Sequence, residues 1–404
     1  MDSPLFGAGS IPPADAATTR TLGYGMLSTH PLNRWRRVRR LVALLALVPL
    51  LAFAQDDPVA DDQADAGLDE FGGGGYLTFY LDNDLFAGED KDYTNGARLS
   101  WISDDKPLFG VLPGREGLEK LAGALPSKDW MARLSGFDPE NIENGDIAVN
   151  YGFSVTQLMF TPDDPDSPTQ PPGQRRYAGW LGVGFSVHAK DESALNSVEL
   201  IFGTTGPRSL AEKTQDFIHD IRDIPEFQGW DDQIPNEFTF DLAYSQKRRV
   251  PLMEPGRKGF SVDGFGEWVA RLGTFQTLAG AGGFFRAGFN LPADFSDPRL
   301  SATAYSNQYF GSGKPSGSNW SAYAIFGAYA GGVFFDATLD GPLFSDFETG
   351  NTRETWIADS FLGFGVRWRM LEFSYAQTWR TKTYEEQVGN PSFGSLALRL
   401  RIDT

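Results

Sequence analysis

The chain has 404 residues, no cysteine and a formal net charge of -18. An acidic balance of this size argues against a nucleic-acid partner, since the phosphate backbone is negative. The lack of cysteine excludes a disulfide framework, a cysteine nucleophile and a zinc-thiolate site. Aromatic residues make up 14% of the chain and glycines number 46, while the mean hydropathy is only -0.31. This mixture is typical of strands with one apolar face.

The N-terminal region has the layout of a secretory signal peptide. A basic run over residues 34–40 precedes an apolar run over residues 41–53, and small residues follow at Ala52 and Ala54. An uncleaved membrane anchor is the alternative, but the apolar run is short for a spanning helix. We therefore predict a leader over residues 1–54 and, from its acidic and glycine-rich composition, a disordered linker over residues 55–75.

From residue 76 onward, alternation with a period of two residues dominates. In residues 361–370, Leu362, Phe364, Val366 and Trp368 fall on one face, whereas Gly363, Gly365, Arg367 and Arg369 fall on the other. One face suits lipid and the other a polar lumen. A soluble β-sandwich shows the same alternation, but the signal peptide and the aromatic excess favour an all-β transmembrane antiparallel barrel over residues 76–404.

Twelve strands are predicted for this barrel. They cover residues 75–83, 95–103, 148–160, 177–189, 195–204, 236–248, 261–274, 278–290, 320–338, 356–369, 371–381 and 392–402. An even number places both termini on the periplasmic side, so every second connection faces outward. The first three outward loops are residues 84–94, 161–176 and 205–235. Residues 104–147 form a long periplasmic connection, in which residues 115–126 predict a helix.

The first outward loop is strongly acidic. Residues 82–96 read DNDLFAGEDKDYTNG, and they fail the EF-hand pattern because Phe86, Ala87 and Tyr93 occupy its ligand or turn positions. A calcium site of another design is possible, since calcium prefers carboxylate and carbonyl oxygens. For Glu89 and Asp90, a solvated loop is the favoured interpretation.

The third outward loop contains a histidine on a predicted helix. Pro207 can open this helix, and Gln215, His219 and Arg222 then share one face. His219 is the only histidine in an outward loop, and a neutral imidazole can act as a general base. A surface histidine without a task is the alternative. Other catalytic patterns, namely GxSxG, a complete P-loop and HExxH, do not occur.

Several motifs, taken in order, resemble the LpxR-type lipid A 3'-O-deacylases of Gram-negative outer membranes. They are NDLF followed by DYTNG, then QLMFTP, RYAGW and TGPRS...TQDFIH...GWDDQ. The resemblance implies a twelve-stranded outer-membrane barrel whose long outward loop contains a helix. It also implies a monomeric calcium-dependent esterase at the extracellular rim, which hydrolyses the 3'-linked acyloxyacyl ester of lipid A in lipopolysaccharide.

The same resemblance implies roles for individual residues. His219 would be the general base, and the other catalytic residues would be Asn83, Asp84 and Thr94. Calcium would be held by Asp84 and Glu226. The residues that contact substrate would be Arg175, Arg176, Gln215 and Trp230. Two positions depart from the family pattern. Residues 161–176 contain no lysine, and Pro225 stands where an acidic residue is expected, with Glu226 next to it.

Two other functions stay open. One is an outer-membrane phospholipase or another acyl hydrolase with the same rim chemistry. The other is a non-catalytic barrel that acts as a pore or a scaffold.

Overall fold

A computed structural model describes most of the chain after the leader. It covers residues 75–83, 95–107, 134–138, 140–141, 146–164, 166–223, 225–250, 252–253, 257–295, 297, 299 and 318–402. The predicted leader, nearly all of the predicted linker and the helix predicted at residues 115–126 lie outside these residues.

The strands form one antiparallel sheet. They are β1 (Gly75–Asn83), β2 (Asn95–Ile102), β3 (Lys106–Pro107), β4 (Ala148–Phe160), β5 (Ala178–Lys190), β6 (Ala194–Thr205), β7 (Phe238–Val250), β8 (Phe260–Gly273), β9 (Gln276–Phe289), β10 (Trp320–Asp336), β11 (Trp356–Trp368), β12 (Leu371–Arg380) and β13 (Ser392–Ile402). Each long strand pairs with its sequence neighbours, except that β2 pairs directly with β4 and β1 pairs with β13. These pairings close the sheet into a barrel of twelve strands, as predicted, and the two-residue strand β3 is an addition at the edge of β4.

The outer wall of the barrel is apolar and exposed. On β11 the side chains of Leu362, Phe364, Val366 and Trp368 all point outward, as the alternation predicted. Inside, Gly365 leaves room for Tyr323, whose ring would lie only 2.2 Å from an added Cβ. Arg369 is the exception to the predicted lumen face, because it lies in the turn after β11 with a left-handed φ of 55°. A closed sheet with an apolar exterior rules out the soluble sandwich.

The length of the exposed belt matches a membrane. Trp356 and Trp368 begin and end β11, and they are 73% and 63% exposed. At ~3.4 Å per residue, the strand between them is roughly 40 Å long, or about 30 Å along the axis of a barrel whose strands tilt by ~40°. This is the thickness of the hydrocarbon core of a bilayer. Among the described residues, no helix has both the length and the apolar character needed to cross a membrane.

Within the described barrel, the inner faces of the strands carry buried charged side chains. Arg98 donates to Glu199 over 2.7 Å, and both side chains are almost fully buried. Arg380 binds Asp359 through two hydrogen bonds of 2.7 Å. Because buried charges are tolerated only when they are paired, these contacts account for polar residues on the inner faces of the strands.

A segment between β9 and β10 plugs the barrel from one end. Arg299 pairs with Asp297 over 2.7 Å, and its guanidinium lies 3.8 Å from the ring centre of Phe361 and 4.5 Å from that of Tyr329. Phe361 and Tyr329 belong to the inner faces of β11 and β10. The segment therefore enters the lumen from the end at which β1 begins, which we name the Gly75 end.

The other end, named the Asn83 end after the last residue of β1, bears several further long connections. They include residues 161–177, 206–237, 337–355 and 381–391. The connection from β6 to β7 contains the helix α1 (Ala211–Arg222). The prediction of a long helix-containing loop at this position is confirmed.

Candidate functional site

The helix α1 begins later than the sequence predicted. Pro207 opens a short 3-10 helix over Gly206–Ser209, and Leu210 then adopts a left-handed conformation with φ of 59°. This break separates the 3-10 turn from α1, which starts at Ala211. At the start of the 3-10 turn Gly206, with φ of 69°, brings the chain close to residues 234–236.

The start of α1 packs on the outside wall of the barrel. The amide nitrogen Nε2 of Gln157, on the outer face of β4, donates to the carbonyl oxygen of Ser209 over 2.7 Å. On β5, a Cβ added at Gly179 would lie 2.1 Å from Oγ of Ser209 and 2.6 Å from Cβ of Ala211. The glycine is therefore needed for this close approach.

An apolar cluster fills the space beneath the helix. Met159, Tyr177, Ala211 and Trp230 are buried together, and Phe227 packs against them. The rings of Tyr177 and Trp230 lie 5.0 Å apart. This cluster fixes the returning chain, residues 225–233, between α1 and the wall.

His219 lies on the buried side of α1 and is only 5% exposed. Its ring nitrogen Nδ1 is 2.8 Å from the carbonyl oxygen of Pro225. The ring of Phe227 meets the imidazole edge to face, with 4.8 Å between the ring centres. A carbonyl oxygen only accepts hydrogen bonds, so Nδ1 carries the proton and a neutral ring keeps a lone pair on Nε2. Within the described parts of the chain, Nε2 forms no hydrogen bond.

Gln215 and Trp230 bind each other. The indole nitrogen Nε1 of Trp230 donates to Oε1 of Gln215 over 2.6 Å, and both side chains are buried. Gln215 precedes His219 by one helical turn on the same face of α1. Two of the four residues predicted to contact substrate thus meet at this helix, and their mutual hydrogen bond ties α1 to residues 225–233.

Arg175 and Arg176 lie elsewhere, over the mouth of the barrel. The guanidinium of Arg175 is 4.0 Å from the ring centre of Phe160, which faces the lumen, and it donates to the hydroxyl of Thr338. Arg176 pairs with Asp232 over 2.7 Å. These contacts tie the loop over residues 161–177 to the other loops of the Asn83 end.

Asn83 stands at the end of β1 with its side chain on the outer face, half-buried. Asn83 pairs with Asn95 on β2, and Asn95 pairs with Met159 on β4. Met159 pairs with Gly179 on β5. One row of the sheet therefore joins Asn83 to the place where α1 rests. Asp84 follows β1 and Thr94 precedes β2 in the chain. Both lie outside the described residues, as do Glu89 and Asp90.

Glu226 and Asn83 carry oxygen atoms of the kind that calcium binds. Glu226 follows the residue that binds His219, and its side chain is exposed. Its carboxylate and the amide oxygen of Asn83 are hard oxygen ligands. The described residues contain no group of three acidic or histidine side chains placed to hold a metal, so a complete site would also need ligands from residues 84–94.

Four contributors to this site were not singled out from the sequence: the backbone carbonyl of Pro225, the ring of Phe227, Gln157 and Gly179. Pro225 drew attention only because an acidic residue was expected there. A backbone carbonyl leaves no trace in a side-chain pattern, and the contacts of Gln157 and Gly179 link residues far apart in the chain.

The chain was compared with known proteins. The family model described as outer membrane protein LpxR matches residues 41–402. The structure of LpxR from Salmonella typhimurium superposes with a TM-score of 0.61 at 16% identity, covering 80% of this chain and 99% of that one. The β domain of the Bordetella autotransporter BrkA gives a TM-score of 0.35 at 9% identity, covering 81% of this chain and 98% of that one.

No curated protein matches the chain in sequence. The Salmonella structure shares the barrel fold, and the family model spans nearly the whole barrel together with the segment before it. The chain therefore belongs to the LpxR family of outer membrane proteins, and it resides in the outer membrane as a closed twelve-stranded barrel.

Proposed function

We propose that this protein is a calcium-dependent lipid A 3'-O-deacylase. It hydrolyses the 3'-linked acyloxyacyl ester of lipid A with water as the nucleophile and His219 as the general base. The reaction takes place on the outer wall at the Asn83 end, beside the leaflet that contains lipopolysaccharide. We expect a monomer, because a closed sheet leaves no edge strand for another copy to extend.

The observation that carries this proposal is the hydrogen bond between His219 and Pro225. It leaves Nε2 as the basic nitrogen of a ring held in one orientation, which is what a general base requires. In the usual catalytic arrangement a carboxylate orients the histidine, whereas here a backbone carbonyl accepts the proton of Nδ1. His219 therefore keeps its orientation although Pro225 replaces the acidic residue.

The dimensions of the helix and the sheet support a role for Asn83 in the same site. From Ala211 to His219 the helix rises ~12 Å, and it contacts both β5 and β4. From Gly179 to Asn83, three strand spacings add up to ~14 Å. A helix that starts on β5 and runs over β4 can therefore bring His219 near the end of β1, where the amide of Asn83 would donate to the oxyanion.

Asp84 and Glu226 are the proposed calcium ligands, with Thr94 beside them. Calcium, when bound, supplies positive charge that stabilises the developing oxyanion of the ester. In this scheme Asn83 and His219 perform separate tasks, since one donates to the oxyanion and the other removes the proton from water. No serine nucleophile or acyl-enzyme is involved.

Substrate contacts are proposed for Gln215, Trp230, Arg175 and Arg176. Gln215 and Trp230 would form the wall of the site beside His219. Arg175 or Arg176 would contact a phosphate of lipid A, since guanidinium groups match phosphate geometry. Their present partners, Thr338 and Asp232, would compete with that phosphate, so we expect these two arginines to affect binding more than turnover.

The packed lumen favours an enzyme over a pore. Buried ion pairs and the inserted Arg299 fill the interior of the described barrel, and this leaves the outer wall as the surface for lipid chemistry. An outer-membrane phospholipase stays the second candidate, because the same base and metal can hydrolyse other acyl esters.

Mass spectra of lipids from cells with and without the gene separate these functions. Loss of the acyl substituent at the 3' position alone supports the deacylase. Altered glycerophospholipids with intact lipid A would support the phospholipase, and unchanged lipids would support a non-catalytic barrel.

A further inference from the structure

The helix α1 exposes large apolar side chains on the side that does not face the barrel. Phe217 is 61% exposed and Ile221 is 66% exposed, and Leu210 lies on the same side. Burying such side chains in an apolar medium is favourable relative to leaving them in water. A cluster of this kind on a described helix indicates a contact surface rather than a solvated face.

The position of α1 places this surface at the border of the lipid-facing belt. On the outer face of β4, the exposed side chains of Phe153 and Val155 lead directly to Gln157, which binds Ser209 at the start of the helix. Successive outward residues on a strand are ~7 Å apart. The helix therefore begins one step beyond the last side chain of the belt.

The belt continues beside the helix on the next strands. Phe238 and Phe240 begin β7 and are exposed, and Phe202 on β6 lies 6.3 Å and 5.4 Å from them between ring centres. Phe238 and Leu181 belong to one row of the sheet, because both pair with Thr204. Leu181 in turn pairs with Gln157. The apolar outer face of β5, β6 and β7 therefore extends to the level at which α1 begins.

The remaining side of α1 is acidic. At 100° per residue, Glu212, Asp216 and Asp220 fall between the buried face and the apolar face, and Lys213 is the one basic residue among them. Partial burial, together with the charges of Asp216 and Asp231, raises the pKa of the Glu212 carboxyl. Crowded carboxylates favour water over hydrocarbon, so the helix has one face for the barrel, one for an apolar medium and one for water.

We propose that α1 is an interfacial helix, with Leu210, Phe217 and Ile221 in the acyl chains of the outer leaflet and the acidic face toward water. An amphipathic helix of this kind lies in the plane of the interface. The acidic face provides no attraction to anionic lipid, so the position depends on apolar burial and on the packing of α1 against β4 and β5. This inference does not depend on the proposed hydrolysis.

Site-directed spin labelling tests the proposal directly, because the chain has no cysteine of its own. Phe217→Cys and Ile221→Cys carry the label on the apolar face. The adjacent variants Asp216→Cys and Asp220→Cys carry it on the acidic face, and Leu362→Cys marks the lipid-facing wall. The full-length barrel is reconstituted in phosphatidylcholine vesicles, and collisions of each label with oxygen and with a water-soluble nickel chelate are measured.

The expected result is a shift of the oxygen-to-nickel collision ratio at residues 217 and 221 toward the value at residue 362, while residues 216 and 220 collide mainly with nickel. Equal nickel access at all four helix positions would overturn the proposal. Low access to both reagents at residues 217 and 221 would indicate a second copy of the chain and would also overturn it.

Discussion

Nδ1 of His219 lies 2.8 Å from the carbonyl oxygen of Pro225, across the tight return that follows α1. Phe227 closes the other side of the imidazole, with its ring edge to face at 4.8 Å. The ring is therefore held by one polar and one aromatic contact, and both come from the segment that replaces the expected acidic residue. In the proposed mechanism, this arrangement orients His219 without the carboxylate that the family pattern would place there.

The tautomer of His219 is the first consequence that can be measured. Selective nitrogen-15 labelling of histidine gives few signals, because the chain has only His30, His188 and His219. We expect a neutral ring protonated at Nδ1 and free at Nε2, detected by long-range proton–nitrogen correlation. His188→Gln assigns the second signal, since His188 lies in the lumen between Ser186 and Ser197. A ring protonated at Nε2 would contradict the proposed role of Pro225.

Gly179→Ala should displace α1 while leaving the barrel closed. The added Cβ would lie 2.1 Å from Oγ of Ser209, so the start of the helix must move away from the wall. We expect at least a tenfold loss of ester hydrolysis, since small displacements of a base cost large factors in rate. Gly266→Ala is the matched control, because an added Cβ there meets nothing within 4 Å. Equal activity of both variants, with heat-modifiable gel migration retained, would show that helix position does not matter.

Calcium dependence separates the proposed ligands from the oxyanion donor. Asp84→Asn and Glu226→Gln each remove one negative charge, so both should raise the calcium concentration needed for half-maximal activity. Asn83→Ala should lower turnover with little change in calcium demand, because one oxyanion donor is worth ~3 kcal/mol of barrier. Glu89→Gln and Asp90→Asn serve as controls in a titration of calcium against hydrolysis. Full activity in the presence of chelator would remove calcium from the account.

The filled lumen predicts little ion conductance in planar bilayers. The double variant Asp297→Ala, Arg299→Ala removes the buried pair that anchors the inserted segment on Tyr329 and Phe361. Removing both partners avoids leaving one buried charge unpaired, and we expect conductance to increase. Lys106→Ala, which breaks an exposed pair with Asp104, should behave as wild type. Large steady channels in the unaltered protein would support the pore instead.

The strands followed from the sequence because alternation is a local signal. The predicted ranges 75–83, 148–160 and 392–402 coincide with β1, β4 and β13, and every other predicted boundary falls within two residues of the observed one. The antiparallel pairing of β1 with β13, which closes the barrel, is a consequence of the even strand number. The two-residue strand β3 was not predicted, since Lys106 and Pro107 show no pattern of their own.

The site followed less completely, because it depends on contacts between distant segments. The resemblance pointed to His219, Gln215 and Trp230; Gln215 and Trp230 bind each other, and His219 lies one turn after Gln215 on α1. It did not indicate that the carbonyl of Pro225 binds the imidazole, nor that Arg175 turns toward Phe160 in the mouth of the barrel. Such details depend on backbone groups and on the folded positions of the loops.

The most direct test of the account measures acyl release from purified lipid A by the full-length barrel and by His219→Asn. Asparagine keeps a polar side chain but cannot take a proton from water near neutral pH. We expect the unaltered protein to release the 3'-linked acyl group alone, and the variant to be slower by at least ~10²-fold, the usual contribution of a general base. Both proteins should retain β-rich circular dichroism. Equal rates for the two proteins, or no acyl release by the unaltered protein with calcium present, would contradict the account.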